Sequence, residues 1–212
     1  MLYAGVGVAM TFHRTLSHGA FTFHPIIRKI LIVIASFANV GSPLTWVAVH
    51  RAHHKYCDTP KDPHTPVYHS FWYMMFGTMF AQVSVRLVKK DMLADPFVMF
   101  VHKYYYAIQI PWIILLYMIG GPIAVIACHI VPGGLTWLAG SFVNLYNHVY
   151  GYQNFDTKDT STNSWVTAIL VMGEGWHNNH HALPNAATTK VKPHEFDLLY
   201  WIGAALGGVK KQ

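Results

Sequence analysis

Gly173-Glu174-Gly175-Trp176-His177-Asn178-Asn179-His180-His181 spaces three imidazoles at i, i+3 and i+4. On a helix that spacing puts them on one face with their rings converging on a common point, and imidazole is the commonest metal-ligating side chain. Two earlier stretches match it. His50-Arg51-Ala52-His53-His54 repeats the spacing, and His13-Arg14-Thr15-Leu16-Ser17-His18 sets two histidines five apart. With 15 histidines in 212 residues, any single one reads as an ordinary core or surface side chain. Chance does not readily repeat one spacing and add a third pair in so short a chain, so the three boxes read as ligand sets.

Composition says where such a site sits. A length of 212 residues predicts one domain, and 53% hydrophobic with 11% charged residues is too apolar for an ordinary soluble globule. The formal net charge is +6, but the Lys and Arg are scattered rather than lined along a groove with aromatic platforms. That excludes nucleic acid and favours a membrane surface or an acidic partner. Cys57 lies in a polar loop and Cys128 in an apolar run, which reads as two free thiols rather than a disulfide framework. The amino terminus lacks a basic region and a small-residue cleavage site, so no signal peptide is expected.

Along the chain, Met1 to Thr11 is apolar but reaches only ~18 Å, short of a ~30 Å hydrocarbon core, and reads as the last turns of a helix. Ile26 to Val49 is broken by Asn39, Gly41, Ser42 and Pro43. If the first two boxes share a site, the chain between His18 and His50 must start and end on one side of a membrane, which excludes a single crossing. This segment is therefore expected in the interface or packed on the site. Lys55 to Pro66 is a polar loop in which His64 reads as hydrogen-bonded to its neighbours. Val67 to Val85 is uncharged and aromatic and is expected to be an interfacial helix or a tunnel wall.

Tyr104 to Phe155 holds no Asp, Glu, Lys or Arg, which leaves room for two helices of about 20 residues each and a turn. This predicts a transmembrane hairpin whose turn is either Gly120-Gly121-Pro122 or Val131-Pro132-Gly133-Gly134; the first is preferred, with the second then a kink in the return helix. The 15 Lys and Arg all lie outside it, on the side shared with the boxes, which the positive-inside rule assigns to the cytoplasm. The return helix delivers Asn144 and His148, i and i+4, to the membrane edge, where both are expected to ligate. His194 to Gln212 is expected to be an amphipathic helix ending in Lys210 and Lys211.

Eight to ten ligands exceed what one ion takes, so a dinuclear site is implied. All-imidazole ligation suits Zn, Cu, Fe or Ni and is unlike the Glu and Glu-x-x-His sets of soluble di-iron bundles. Glu174, one turn before His177, is expected to accept a hydrogen bond from a ligand imidazole. Such a cluster at the mouth of a membrane hairpin points to redox chemistry on something lipid-soluble. Metal storage or transport is the other class, but a transporter would place polar ligands at mid-membrane in several helices.

The boxes His13-Arg-Thr-Leu-Ser-His18, His50-Arg-Ala-His-His54 and Gly173-Glu-Gly-Trp-His-Asn-Asn-His-His181 resemble the three histidine boxes of membrane fatty-acyl desaturases of the stearoyl-CoA and acyl-lipid type. Asn144-Leu-Tyr-Asn-His148 followed by Gly151-Tyr152 is similar to that family's Asn-x-x-x-His motif, and Asp62-Pro63-His64 also matches. The resemblance implies an all-α membrane protein, with a transmembrane hairpin, interfacial helices and a cytosolic histidine-rich cap. It implies one desaturase domain over residues 1–212, with the family's amino-terminal hairpin largely missing.

It also implies two non-haem iron ions bound by His13, His18, His50, His53, His54, His148, His177, His180 and His181, with Asn144 acting through a water. O₂ and two electrons from ferredoxin or cytochrome b5 would then remove two hydrogens from a saturated acyl chain, carried as a glycerolipid or a CoA ester, leaving a cis double bond at Δ9. The His-Asn-Asn-His-His-Ala run leans the resemblance toward the acyl-lipid enzymes. The alternatives are a fatty-acid hydroxylase with similar boxes and a non-catalytic, truncated metal-binding membrane protein.

Overall fold

The chain is mostly helical in the computed structural model, which describes residues 2–88 and 90–210. It opens with a π-helix (Leu2–Ser17), then β1 (Phe21–Thr22), α1 (Pro25–Ser36) and α2 (Pro43–Tyr56). Short turns follow, then α3 (Lys90–Leu93), α4 (Pro96–Lys103), α5 (Tyr105–Val125), a π-helical turn (Ile126–Ile130) and α6 (Val131–Tyr146). The rest is α7 (Trp165–Leu170), α8 (His177–Ala182), α9 (Leu198–Ala205) and β2 (Val209–Lys210), which pairs antiparallel with β1.

Helix starts follow local chemistry. Ser42 accepts a hydrogen bond from Thr45 N and Asp95 accepts from Phe97 N and Val98 N, each just before a proline at the first helical position. A side-chain acceptor satisfies an amide that has no partner within the helix, and proline has no amide to satisfy. Ser164 and Asp197 cap α7 and α9 in the same way.

The π-helix, α1, α2 and α4 enclose the main core, built from Phe12, Ile32, Ala35, Val47, Val98 and Val101. At Gly7 an added Cβ would lie 3.0 Å from the Ala35 Cα, so the π-helix and α1 touch backbone to backbone. The segment 26–49 is thus two helices broken at 37–42, with α1 packed on the π-helix, and it returns His50 to the neighbourhood of His18.

Residues 105–146 form the one stretch among the described residues that is long and apolar enough to cross a membrane. It is not straight. Gly120 and Gly121 leave helical geometry, with φ +62° and ψ −157° at Gly121, a region open essentially only to glycine. The phenol of Tyr3 accepts from Trp112 Nε1 at 2.9 Å and donates to Cys128 O at 3.0 Å. In a straight helix those sixteen residues would span ~24 Å. The stretch therefore doubles back at Gly120-Gly121, the first of the two expected turns, and the return arm winds as a π-helix at Ile126–Ile130 just before Pro132. Its outer surface is apolar and exposed at Met118, Ile119, Ile123 and Leu135.

Two expectations are corrected. Residues 67–85 form no long helix but a π turn (Tyr73–Gly77) and a 3₁₀ turn (Thr78–Phe80) followed by open chain. Trp137 Nε1 donates to Met75 O, which fixes this segment against α6 as a wall. The carboxy-terminal helix also stops at Ala205, because Gly207 at φ +78° turns the chain into β2; the expected end at Lys211 lies outside the described residues.

Gly121→Ala should cost ~1–3 kcal/mol through the strained backbone, read as a lower melting temperature of detergent-solubilised protein. Gly134→Ala, where an added Cβ meets open space, should cause no loss.

Candidate metal centre

Each histidine is delivered by a local device. A π turn closes residue i onto i+5, and His18 N donates to His13 O at 3.3 Å, so the two histidines of the first box stand one turn apart with ring centroids 5.1 Å from each other. In an α-helix they would diverge by ~140°. The hydroxyls of Thr11, Thr15 and Ser17 each donate to the carbonyl five residues back, which occupies carbonyls that an α-helix would use otherwise.

The expectation that the three imidazoles of an i, i+3, i+4 box converge on one point is corrected. His13, His18, His50, His54 and His180 form one group and His53, His148, His177 and His181 a second; within each, the candidate ligand atoms lie within 4.8 Å of one another. Positions i+3 and i+4 are rotated by ~100° from each other. The i+3 residue of α2, His53, therefore goes to one group and the i+4 residue, His54, to the other, and α8 divides His180 and His181 the same way. His148 joins from just beyond α6.

Outer hydrogen bonds fix the rings. His53 Nδ1 bonds Asp62 at 3.0 Å, His181 Nδ1 bonds Asp159 at 2.9 Å and His13 Nδ1 meets Glu174 at 2.5 Å. His148 Nδ1 donates to Thr160 Oγ1 at 3.2 Å, and that hydroxyl donates to Asp58. With each Nδ1 carrying the proton, Nε2 is left as a bare lone pair. Each of these Nε2 atoms meets another: His53 and His181 Nε2 are 3.3 Å apart, and His148 and His13 Nε2 lie 3.2 Å and 2.9 Å from the Nε2 of His177 and His180.

Facing lone pairs need a proton or a cation between them. Burial, followed by the neighbouring imidazoles, pushes His50, His53, His54, His177 and His180 well below the usual histidine range, so protons are disfavoured. Metal cations fit the donor set: one group offers five nitrogens and the other four.

Carboxylates complete the electrostatics. Burial alone would raise the Glu174 carboxyl, but Arg14 and then His13 hold it at about 2. Arg14, fully buried, reaches Glu174 at 2.6 Å, Asp197 at 2.8 Å and Ala187 O at 2.9 Å. Burial likewise works against the Asp159 carboxylate, yet its contact with His181 and its bonds from Ser161 bring it well below the usual range. Gly175 is required by space, since an added Cβ would lie 2.0 Å from Ala168 N. Its carbonyl accepts from Asn147 Nδ2 at 2.7 Å, which fastens the third box to the end of α6.

The sequence-nominated residues all fall in this region, in different places. The nine histidines form the two groups, and Glu174 supports His13. Asn144 lies with His50 and His64 in the wall of an adjoining cavity of about 320 Å³, whose other walls include Val40, Trp46, Thr78, Phe80 and Trp137. His64 is buried beside His53, ring centroids 4.4 Å apart, and its Nε2 has no partner. Asp58, Asp159, Thr160, Arg14 and Asp197 were not nominated; only the adjacency of Arg14 to His13 and of Asp62 to the second box hinted at such support.

The sequence pattern of the family described as Fatty acid desaturase matches residues 1–205. This chain belongs to the fatty acid desaturase family. The desaturase is 36% identical over 210 residues to the "sn-1 stearoyl-lipid 9-desaturase" of Anabaena variabilis, covering 92% of this chain and 73% of that one. It is 34% identical to the chloroplastic "Palmitoyl-monogalactosyldiacylglycerol delta-7 desaturase" of Arabidopsis thaliana, with 93% and 54% covered. It is also 34% identical to the "Acyl-CoA 5-desaturase AL21" of Anemone leveillei, with 95% and 65% covered. The chain is thus a membrane fatty acid desaturase, an oxidoreductase of fatty-acyl chains, whose histidine clusters are consistent with a pair of metal ions.

Asp159→Asn should weaken metal binding ~10–100-fold through the loosened His181 ring, measured by chelator competition. Glu174→Gln should also lower the unfolding free energy by about 3 kcal/mol, because it leaves the buried Arg14 short of a counter-charge; a thermal scan of the metal-free protein checks this.

Proposed function

We propose that this chain is an acyl-lipid Δ9 desaturase: with O₂ and two electrons it converts a saturated acyl chain of a membrane glycerolipid into its cis-unsaturated form. The supporting observation is a cavity with largely apolar walls that is lined by His50, a member of one of the two imidazole clusters. The 36% identity to a stearoyl-lipid 9-desaturase favours the lipid form and the Δ9 position.

The ions are iron, held by His13, His18, His50, His54 and His180 in one site and by His53, His148, His177 and His181 in the other, with Asn144 acting through a water. When bound, the two irons supply the O₂-activating redox chemistry. One O₂ takes four electrons, two from an electron donor and two from the C–H bonds of adjacent carbons, and leaves as two waters. The chain's own residues do the positioning. Trp46 stacks on His50 with ring centroids 5.1 Å apart, which stiffens the cavity wall beside a ligand, and the narrow cavity holds the acyl chain straight so that one pair of carbons meets the site.

In this reading residues 1–212 are a single desaturase domain, the Tyr105–Tyr146 hairpin crosses the bilayer, and the histidine cap lies on the cytoplasmic face with the Lys and Arg. Electrons come from ferredoxin or cytochrome b5.

Purified chain supplied with ferredoxin, its reductase and O₂ should convert a stearoyl glycerolipid to a cis monoene, read by gas chromatography and mass spectrometry of the products. Turnover of stearoyl-CoA alone would overturn the lipid form, and a hydroxylated product would overturn desaturation. His148→Ala should lose iron as severely as a change in any box. Asn144→Ala should lose ~10–100-fold in affinity or activity, so a His148→Ala protein with full iron and normal turnover would remove the motif from the site.

A further inference from the structure

The cavity beside the histidine clusters runs along α6, which contributes Thr136, Trp137, Gly140, Ser141 and Asn144 to its wall. From Thr136 to Asn144 that is eight residues, or ~12 Å. The lining also includes His50 and His64, and Phe80 and Tyr106, which are 77% and 81% exposed. Thr136 and Ser141 are buried and close the wall, whereas Gly140 is exposed and an added Cβ there would meet nothing within 4 Å. Gly140 is therefore a gap in the wall. It lies on the return arm of the apolar hairpin, whose neighbouring surface at Ile130 and Leu135 is apolar and exposed.

Charge says what passes through the gap. Among the described residues lining the cavity there is no Lys, Arg, Asp or Glu. A CoA ester brings several phosphate charges to any mouth it uses, and such a head group is bound by Arg and Lys. A hydrocarbon chain needs none, and its transfer from lipid into an apolar cavity desolvates no polar group.

We propose that the cavity opens sideways to the lipid phase at Gly140, and that the acyl chain of a glycerolipid enters there from the bilayer while its head group stays outside. This rests on the reading of the chain as a membrane desaturase with the hairpin in the bilayer. Gly140 is then a specificity-determining position, because the width of the gap decides whether a chain still attached to its glycerol can reach the irons.

Two measurements test it. The first uses Gly140→Cys in a Cys57→Ser, Cys128→Ser background, reconstituted in phosphatidylcholine vesicles. A membrane-soluble, uncharged maleimide should label the cysteine, while a charged maleimide present on both sides of the bilayer should label it at least ten-fold more slowly. Equal labelling by the charged reagent would overturn the proposal, and this arm reads without turnover. The second compares Gly140→Phe with Gly134→Phe, which puts the same bulk on the same arm at another open position. Gly140→Phe should lose at least ten-fold in kcat/KM for the stearoyl glycerolipid with iron per chain unchanged, and Gly134→Phe should keep the parental value. A Gly140→Phe protein with parental kcat/KM would overturn the proposal, whereas a parent chain that makes no unsaturated product would overturn the functional reading itself.

Discussion

Lone pairs that face one another in a buried space are the constraint on which the rest of this structure depends. Imidazole Nε2 atoms are brought to 2.9–3.3 Å of one another, and burial opposes protonating His53, His177 and His180. A folded chain holds such an arrangement only with strong external supports. Asp62, Asp159, Glu174 and the Asp58–Thr160 pair are those supports, and each draws a different part of the chain to the centre. The overall charge of +6 is thus misleading locally, since the shell around the histidines is acidic.

The clusters also explain why the helices are short and irregular. α2 and α8 each send histidines to both groups, so they must sit between them, while the π-helix turns both of its histidines to the same group. His148 brings in the end of the hairpin, and the bond from Asn147 Nδ2 to Gly175 O joins that end to the third box. A displacement of α6 is therefore felt directly at the cluster that holds His148, His177 and His181.

Much of this was legible in the sequence, because the signals were local. The box spacings nominated the histidines, the missing charges from Tyr104 to Phe155 outlined the hairpin, and Gly120-Gly121 marked its reversal. What was not legible depended on non-local or unusual geometry. A five-residue spacing has no meaning on an α-helix, and π winding is not written in composition, so the pairing of His13 with His18 had no visible mechanism. The split of the second and third boxes between two groups follows from the ~100° per residue of an α-helix, but only once two centres are known to exist. Asp159 lies in a polar loop that resembles any other, and nothing short of the fold puts it against His181. The carboxy-terminal segment read as an amphipathic helix and no more, yet Asp197 reaches Arg14 within the buried support of His13.

That last contact bears on how the chain is made. His13 meets His180 across 167 positions of sequence, and Arg14 meets Asp197 across 183. During synthesis His180 and Asp197 emerge 167 and 183 positions after His13 and Arg14, their partners in the first box. Contacts of such separation form slowly, so the first box must wait with its arginine unpaired and its imidazoles free. The five-nitrogen cluster cannot close before His180 has been made, so any ion it holds arrives only after the third box is in place.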